Sequence, residues 1–239
     1  MRYLILSDIH SNTDALGAVL RHAAGNYDRI VCCGDLIGYA AEPNEVVDWA
    51  RQNLFAAVRG NHDKACFDPV ELETFNDAAR EAALWTCRQL TPANLDYLRA
   101  LPVGPLALDD FQILHGSPLD EGEYLVSAFD VLQVSPHLTR RANFFGHTHR
   151  QASFLCRRHG VKGLGNGAVE LEPDSYYMFN PGSVGQPRDG DPRAAYLLYS
   201  PDQRLVEFCR APYNIKSAQA KIRQAGLPNL LAERLEYGA

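Results

Sequence analysis

The sequence predicts an α/β protein with a mainly parallel sheet, and three observations carry that prediction. Five short apolar runs each end abruptly in a polar motif containing Asp, Asn or His. Amphipathic helical stretches separate the early runs. The chain has 239 residues, 46% of them hydrophobic and 22% charged, which suits one large domain with its own core.

Tyr3–Leu6 runs into Ser7-Asp8-Ile9-His10, and Ile30–Cys33 into Gly34-Asp35. Leu54–Val58 runs into Arg59-Gly60-Asn61-His62-Asp63, Phe111–Leu114 into His115-Gly116, and Asn143–Phe145 into Gly146-His147-Thr148-His149. Runs this short and rich in Ile, Val, Leu and Phe read as buried strands. Asn12 is placed to cap a helix through about Ala24, with Leu16, Val19 and Leu20 on one face and Gly25 as its stop. Asn44 is placed to cap a second helix, Glu45–Asn53, facing inward with Val46, Trp49 and Ala50. Strand–helix alternation implies parallel strands, and ligands then bind beyond their carboxyl ends. All five motifs fall there, which predicts one shared site.

Residues 70–101 read as a helical insertion beside that site, with helices in Ala78–Leu90 and Ala93–Leu101 and Pro92 at a first helical position. The last third reads as strands Tyr176–Phe179, Ala195–Tyr199 and Leu205–Phe208, closed by one terminal helix over about 215–236. Gly163–Gly167 neither follows a convincing strand nor opens a helix, so it reads as a flexible turn. The whole chain, 1–239, is read as a single domain.

A net charge of −6 without a Lys/Arg block argues against a nucleic-acid footprint. No apolar stretch approaches the ~20 residues that cross a bilayer, and the first strand follows Met1-Arg2 at once, leaving no room for a signal peptide. No pair of the six cysteines has C-x-x-C spacing, so they read as small apolar residues in a reducing compartment. The expected location is the cytoplasm.

The strand-end residues suit a binuclear hydrolytic centre, in which two divalent ions ~3.5–4 Å apart need a bridging carboxylate and several further donors. Asp8 and His10 aim at one space, Asp35 can bridge, Asn61 offers an amide oxygen, and His115, His147 and His149 supply nitrogen. Hard and borderline donors without thiolate suit manganese, iron or zinc; manganese is favoured.

Asp8-Ile9-His10, Gly34-Asp35, Gly60-Asn61-His62-Asp63, His115 and Gly146-His147-Thr148-His149, in that order and each after a strand, resemble the calcineurin-like metallophosphoesterase superfamily. Asn180-Pro181-Gly182-Ser183-Val184-Gly185 with Pro187-Arg188, and Gly38-Tyr39 with Pro43-Asn44-Glu45, resemble its bacterial and archaeal phosphodiesterase branch. The resemblance implies a four-layer α/β/β/α sandwich with two facing mixed sheets. It implies one metal on Asp8, His10, His149 and Asp35, and a second on Asp35, Asn61, His115 and His147. His62 would contact the phosphate and protonate the leaving oxygen, and a metal-bridging hydroxide would attack phosphorus. Arg59 would bind substrate through a bidentate phosphate contact, and Arg188 would either bind substrate phosphate or make a structural ion pair.

The expected activity is hydrolysis of a small phosphate ester, a phosphodiester or nucleotide-type substrate first. A phosphomonoester or phosphoprotein substrate is the alternative, and a non-catalytic metal-bound scaffold is the rival class. Gly38 stands where protein Ser/Thr phosphatases carry an Asp that orients the catalytic His, which weakens the phosphoprotein reading and leaves the orientation of His62 unexplained. No membrane partner is expected, and a homo-oligomer is compatible with the sequence.

Overall fold

A computed structural model describes all 239 residues, Met1–Ala239. The elements in chain order are β1 (Tyr3–Leu6), α1 (Thr13–His22), β2 (Arg29–Cys32), α2 (Pro43–Asn53), β3 (Ala56–Ala57) and the single turn α3 (Asn61–Lys64). A 3-10 segment (Pro69–Thr74), α4 (Asp77–Gln89) and α5 (Pro92–Ala100) follow. Then come β4 (Leu106–Ala107), β5 (Phe111–Ile113), α6 (Ala128–Val134), β6 (Ala142–Phe144), β7 (Gln151–Arg157), β8 (Gly160–Leu164) and β9 (Ala168–Glu170). The chain finishes with β10 (Tyr176–Pro181), β11 (Ala194–Ser200), β12 (Leu205–Ala211), α7 (Ile215–Gln224) and α8 (Asn229–Tyr237).

Two six-stranded sheets form, in the orders β3-β2-β1-β11-β12-β9 and β4-β5-β6-β10-β7-β8. Both are mixed. Parallel pairing joins β1, β2 and β3 in one and β5, β6 and β10 in the other; every other pair is antiparallel. The expectation of a mainly parallel sheet therefore holds only for the motif-bearing strands. It was drawn from the first half of the chain, and the hairpin-rich second half supplies the antiparallel partners.

Period-two alternation splits each strand between two cores. Tyr3 and Ile5 join Val31, Phe111, Phe144, Phe179 and Tyr199 between the sheets. Leu4 and Leu6 face outward onto Leu16 and Val19 of α1 and Val46, Val47 and Ala50 of α2. On the far side, Val131 and Val134 of α6 cover Phe154 and Met178 of the second sheet. Helix, sheet, sheet and helix are the four layers expected.

Local chemistry explains most helix ends. Asn12 caps α1 by accepting from the Ala15 N–H, Asn76 caps α4 from Ala79, and Thr91 caps α5 with Pro92 in the first turn. Asn44 does not cap α2, which begins at Pro43. Its side chain instead accepts from the Thr91 N–H and donates to Gln89 O, tying α2 to the α4–α5 corner. The expected single terminal helix is two, α7 and α8, because Gly226 (φ 71°) and Pro228 break it. Gly163 and Leu164 lie in β8, so the glycine-rich turn is confined to residues 165–167. Cys66 and Cys87 form a disulfide, against the reading of all six cysteines as free thiols. The pair lies 21 residues apart, and the packing of α4 back toward the turn after α3 brings it together. Cys32, Cys33 and Cys156 are buried thiols as expected.

Candidate metal centre

The carboxyl ends of β1, β2, β3, β5 and β6 converge at one edge of the sandwich and bring all seven expected ligands together. Asp8, His10, Asp35 and His149 form one buried donor group, and Asp35, His115 and His147 form a second. Asp35 Oδ2 lies 3.6 Å from His10 Nε2 and 3.5 Å from His115 Nε2, so a single oxygen faces both groups. Asn61 Oδ1 sits 3.2 Å from His115 Nε2 and completes the second group. Asp8 Oδ1 lies 3.3 Å from His149 Nε2.

The outer ring nitrogens are spoken for. His10 Nδ1 meets Ile37 O at 2.8 Å, His115 Nδ1 meets Cys33 O at 2.8 Å, and His149 Nδ1 meets Gln186 O at 2.7 Å. A carbonyl can only accept, so each Nδ1 carries the proton and each Nε2 lone pair points into the centre. His147 is reversed: its Nε2 meets Gly122 O at 3.0 Å, leaving Nδ1 as its ligand atom. Four imidazoles with bare nitrogens converging on two carboxylates suit two divalent cations.

Burial, first among the causes, pushes His10 and His149 well below the usual histidine range and His147 to about 4. Burial also opposes charge on His115, but the Asp35 carboxylate outweighs it and lifts His115 to about 10, so without a cation its Nε2 holds a proton that a metal ion would displace. Burial raises Asp8 to about 6, while His115 and His62 overcome burial to hold Asp35 well below the carboxylate range.

Backbone strain concentrates at the same place. Eight non-glycine residues have positive φ, and seven of them are Asp8, His10, Ser11, Asp35, Tyr39, His147 and His149. Such conformations cost of order 1 kcal/mol or more each and persist where surrounding structure enforces them. Enforcement comes partly from Asp63. Its carboxylate accepts from the N–H groups of Asp35 (3.0 Å), Leu36 (2.9 Å), Ile37 (3.3 Å) and Gly60 (2.9 Å). Burial pushes its carboxyl up to about 7, yet four donors on two oxygens leave no acceptor for a proton, so the ionised form fits the site. Asp63 stood in the quoted motif without a role; its place two residues after Asn61 was the available signal. Gly60 is required beside it, since a Cβ there would meet Asp35 Oδ1 at 2.1 Å. Asn180 plays a similar part, donating to Gly146 O at 2.7 Å and Thr148 Oγ1 at 3.0 Å.

His62 lies outside both donor groups. Its ring packs against Tyr39 (centroids 4.4 Å apart), Phe75 (4.5 Å) and His10 (4.9 Å). Nδ1 is buried without a hydrogen-bond partner, over Gly38, where a Cβ would come within 2.5 Å. Aromatic packing thus orients His62 in place of a carboxylate, and burial lowers its pKa to about 4. Tyr39 and Phe75 were not singled out as site residues, because ring contacts leave no fixed spacing in a sequence.

The two expected substrate arginines differ. Arg188 has its guanidinium 5.4 Å from the Tyr39 ring centroid, one bond to Gln186, and a buried Nε with no partner. Arg59 spends its fork on Glu121, with Nε and an outer nitrogen donating at 3.0 and 3.1 Å. The bidentate contact foreseen for a phosphate is made to a carboxylate of the chain itself. His22, outside the motifs, bonds Tyr196 Oη at 2.7 Å and belongs to the structure.

A cavity of about 380 Å³ opens beside Asn61, His62 and His147 and runs under Phe75 and Asn76 at the edge of the insertion.

Comparison with known proteins agrees with this arrangement. The calcineurin-like phosphoesterase superfamily domain matches residues 1–204. An uncharacterised protein of Methanocaldococcus jannaschii is 35% identical over 98% of this chain and 97% of its own. The crystal structure of a metallophosphoesterase from Sphaerobacter thermophilus superposes with a TM-score of 0.88 at 39% identity, covering 100% of this chain and 99% of that one. A hypothetical protein of Pyrococcus horikoshii shares the fold, with a TM-score of 0.78 at 17% identity over 100% and 98% of the two chains. The strand-end donors, the shared carboxylate and the matched residues together place the chain in the calcineurin-like phosphoesterase superfamily, as a metal-dependent hydrolase of phosphate esters.

Proposed function

We propose that the chain hydrolyses a phosphodiester or nucleotide-type ester at a centre holding two divalent ions, with manganese the favoured metal. One observation carries the binuclear reading: Asp35 Oδ2 stands about equally far from His10 Nε2 and His115 Nε2, at the join of two donor groups. Asp8, His10 and His149 would hold one ion, Asn61, His115 and His147 the other, and Asp35 both. When bound, two such ions supply a water of lowered pKa and positive charge against the phosphate oxygens. The fixed imidazole tautomers keep the ligand lone pairs aimed inward without reorganisation. His62, neutral in the free chain, would take up a proton beside the negative phosphate and donate it to the leaving oxygen, held to that task by Tyr39 and Phe75. Arg188, with its unpartnered Nε, is the phosphate-binding arginine; Arg59 orders the wall that Glu121 belongs to.

The Asn180–Gly185 and Gly38-Tyr39 motifs support the diester preference through the branch they resemble, and the cavity beside His62 offers room for the ester group of either substrate class. A cytoplasmic setting is also our reading. The buried thiols Cys32, Cys33 and Cys156 support it, and the Cys66–Cys87 disulfide is the feature against it.

The deciding experiment compares kcat/KM for bis(4-nitrophenyl) phosphate and 4-nitrophenyl phosphate on protein loaded with manganese. A higher value for the diester supports the proposal, and the reverse order assigns a monoesterase. No turnover of either, with two metal equivalents bound, assigns the scaffold role.

A further inference from the structure

The cavity beside the metal ligands has an uneven chemistry. Three rings line it: Tyr39, Phe75 and Tyr124. Tyr124 is half exposed and lies 3.9 Å, centroid to centroid, from the His147 ring, so one face is engaged by the site and the rest is open. Phe75 packs in the same way on His62. Between these rings the polar lining is Thr74, Asn76, Asn61, Glu71 and Asp120. No lysine or arginine lines the cavity.

The cations at the outer side of the cavity are already committed to carboxylates, and Arg188, on the Tyr39 ring, stands at the end reserved for the phosphate. Lys64 Nζ pairs with Glu71 at 2.9 Å and Glu121 at 3.3 Å, and Arg59 pairs with Glu121. Asp120 is different. It is exposed, and the structure gives it no cationic partner, only the Gly122 N–H at 2.8 Å. A group seated in this cavity therefore meets ring faces and one free carboxylate. A second negative charge at the Phe75–Tyr124 end would lie near Asp120 with no lysine or arginine among the lining residues to face it, while a flat uncharged or cationic group would be accepted.

We infer that the site takes esters with a single phosphate whose ester group is a flat, uncharged or cationic ring seated against Phe75 and Tyr124. It rejects ester groups that carry a further anion, polyphosphate chains included. Phe75, Tyr124 and Asp120 are the specificity-determining residues. The inference rests on the phosphoesterase reading for its chemistry, while the cavity's preference can be measured by binding alone.

Calorimetry on the full chain loaded with manganese tests it, using phosphonates that do not turn over. The probes are methylphosphonate, benzylphosphonate, and benzylphosphonates bearing a para carboxylate or a para aminomethyl group. Benzylphosphonate should bind at least tenfold tighter than methylphosphonate. The carboxylate should bind at least tenfold weaker than benzylphosphonate, and the aminomethyl probe as tightly or more so. Asp120→Lys should erase or invert the carboxylate penalty, and Phe75→Ala and Tyr124→Ala should each shrink the benzyl-to-methyl ratio about fivefold or more. A carboxylate probe that binds as well as benzylphosphonate overturns the inference, as does a ratio indifferent to both ring substitutions. Turnover of bis(4-nitrophenyl) phosphate by the same preparation separates the two claims. Lost turnover with the binding order intact removes the phosphoesterase reading, whereas normal turnover with the order reversed removes the cavity's.

Discussion

The Nε2 atoms of His10 and His149 lie 2.9 Å apart, and each ring has its Nδ1 on a backbone carbonyl. Two lone pairs so placed repel each other unless a cation lies between them. Metal binding is therefore expected to stabilise the folded chain strongly. With free metal a thousandfold above Kd the gain is about 4 kcal/mol, or about 10 °C in a chain of this size. Scanning calorimetry before and after chelation measures it, alongside metal analysis showing close to two equivalents. Asp35→Asn should lose both metals more readily than Asn61→Ala loses one. An unchanged midpoint in metal-free protein would contradict the site.

Asp63→Asn keeps the shape of the side chain but replaces an acceptor oxygen with an NH₂ that faces backbone donors. Loss of charge-assisted bonds and a buried clash of donors should cost about 3 kcal/mol. Urea unfolding reports the loss. Metal content should fall too, because the same carboxylate holds the Asp35 and Gly60 loops in register.

Gly38→Ala separates His62 from the metals. Its φ of 97° disfavours a side chain, and the new methyl would press on His62 Nδ1. Two metals should remain bound while activity falls at least tenfold. A variant with full activity would show that the ring's position is unimportant.

His62→Ala should likewise keep both metals and lose on the order of 10²–10⁴-fold in rate, the range of a general acid. A nitrophenolate leaves with little protonation, whereas an alkoxide needs a great deal. The defect should accordingly be much larger on an alkyl ester than on a nitrophenyl ester. Equal losses would assign His62 to phosphate binding, and lost metal would make it a ligand.

Cys66 and Cys87 anchor α4, and hence Phe75 and Asn76 just ahead of it, to the turn that carries His62. Replacing both with serine should lower stability by about 3 kcal/mol for a loop of roughly twenty residues. It should also change the ranking of substrates while metal occupancy stays constant. An identical ranking would show that the insertion's edge is held by its other contacts.

Eight of the twelve strands and all seven candidate ligands were legible because their signals are local. A buried strand is a run of apolar residues, and a ligand at its carboxyl end follows within a few positions. Asn12, Asn76 and Thr91 end their helices through contacts three residues away, so such signals survive in sequence. What sequence reasoning missed depends on distant partners. Arg59 looked free until Glu121, 62 residues later, filled its fork. Asn44 looked like a cap until the α4–α5 corner engaged its amide. Tyr39 and Phe75 meet on His62 only after the insertion folds back.

The topology also sets an order of events during synthesis. Every candidate ligand has been made once His149 leaves the ribosome, yet β1 still lacks its neighbour β11, and β6 lacks β10. The carbonyl that fixes the His149 ring belongs to Gln186, and Asp8 is pinned through Ser183 and Gly185. A nascent chain that already carries the full donor set thus still lacks the partners that hold Asp8 and His149 in place. Long-range pairings of this kind form late, so the side of the centre built on Asp8 and His149 takes its final shape only when β10 and β11 have docked.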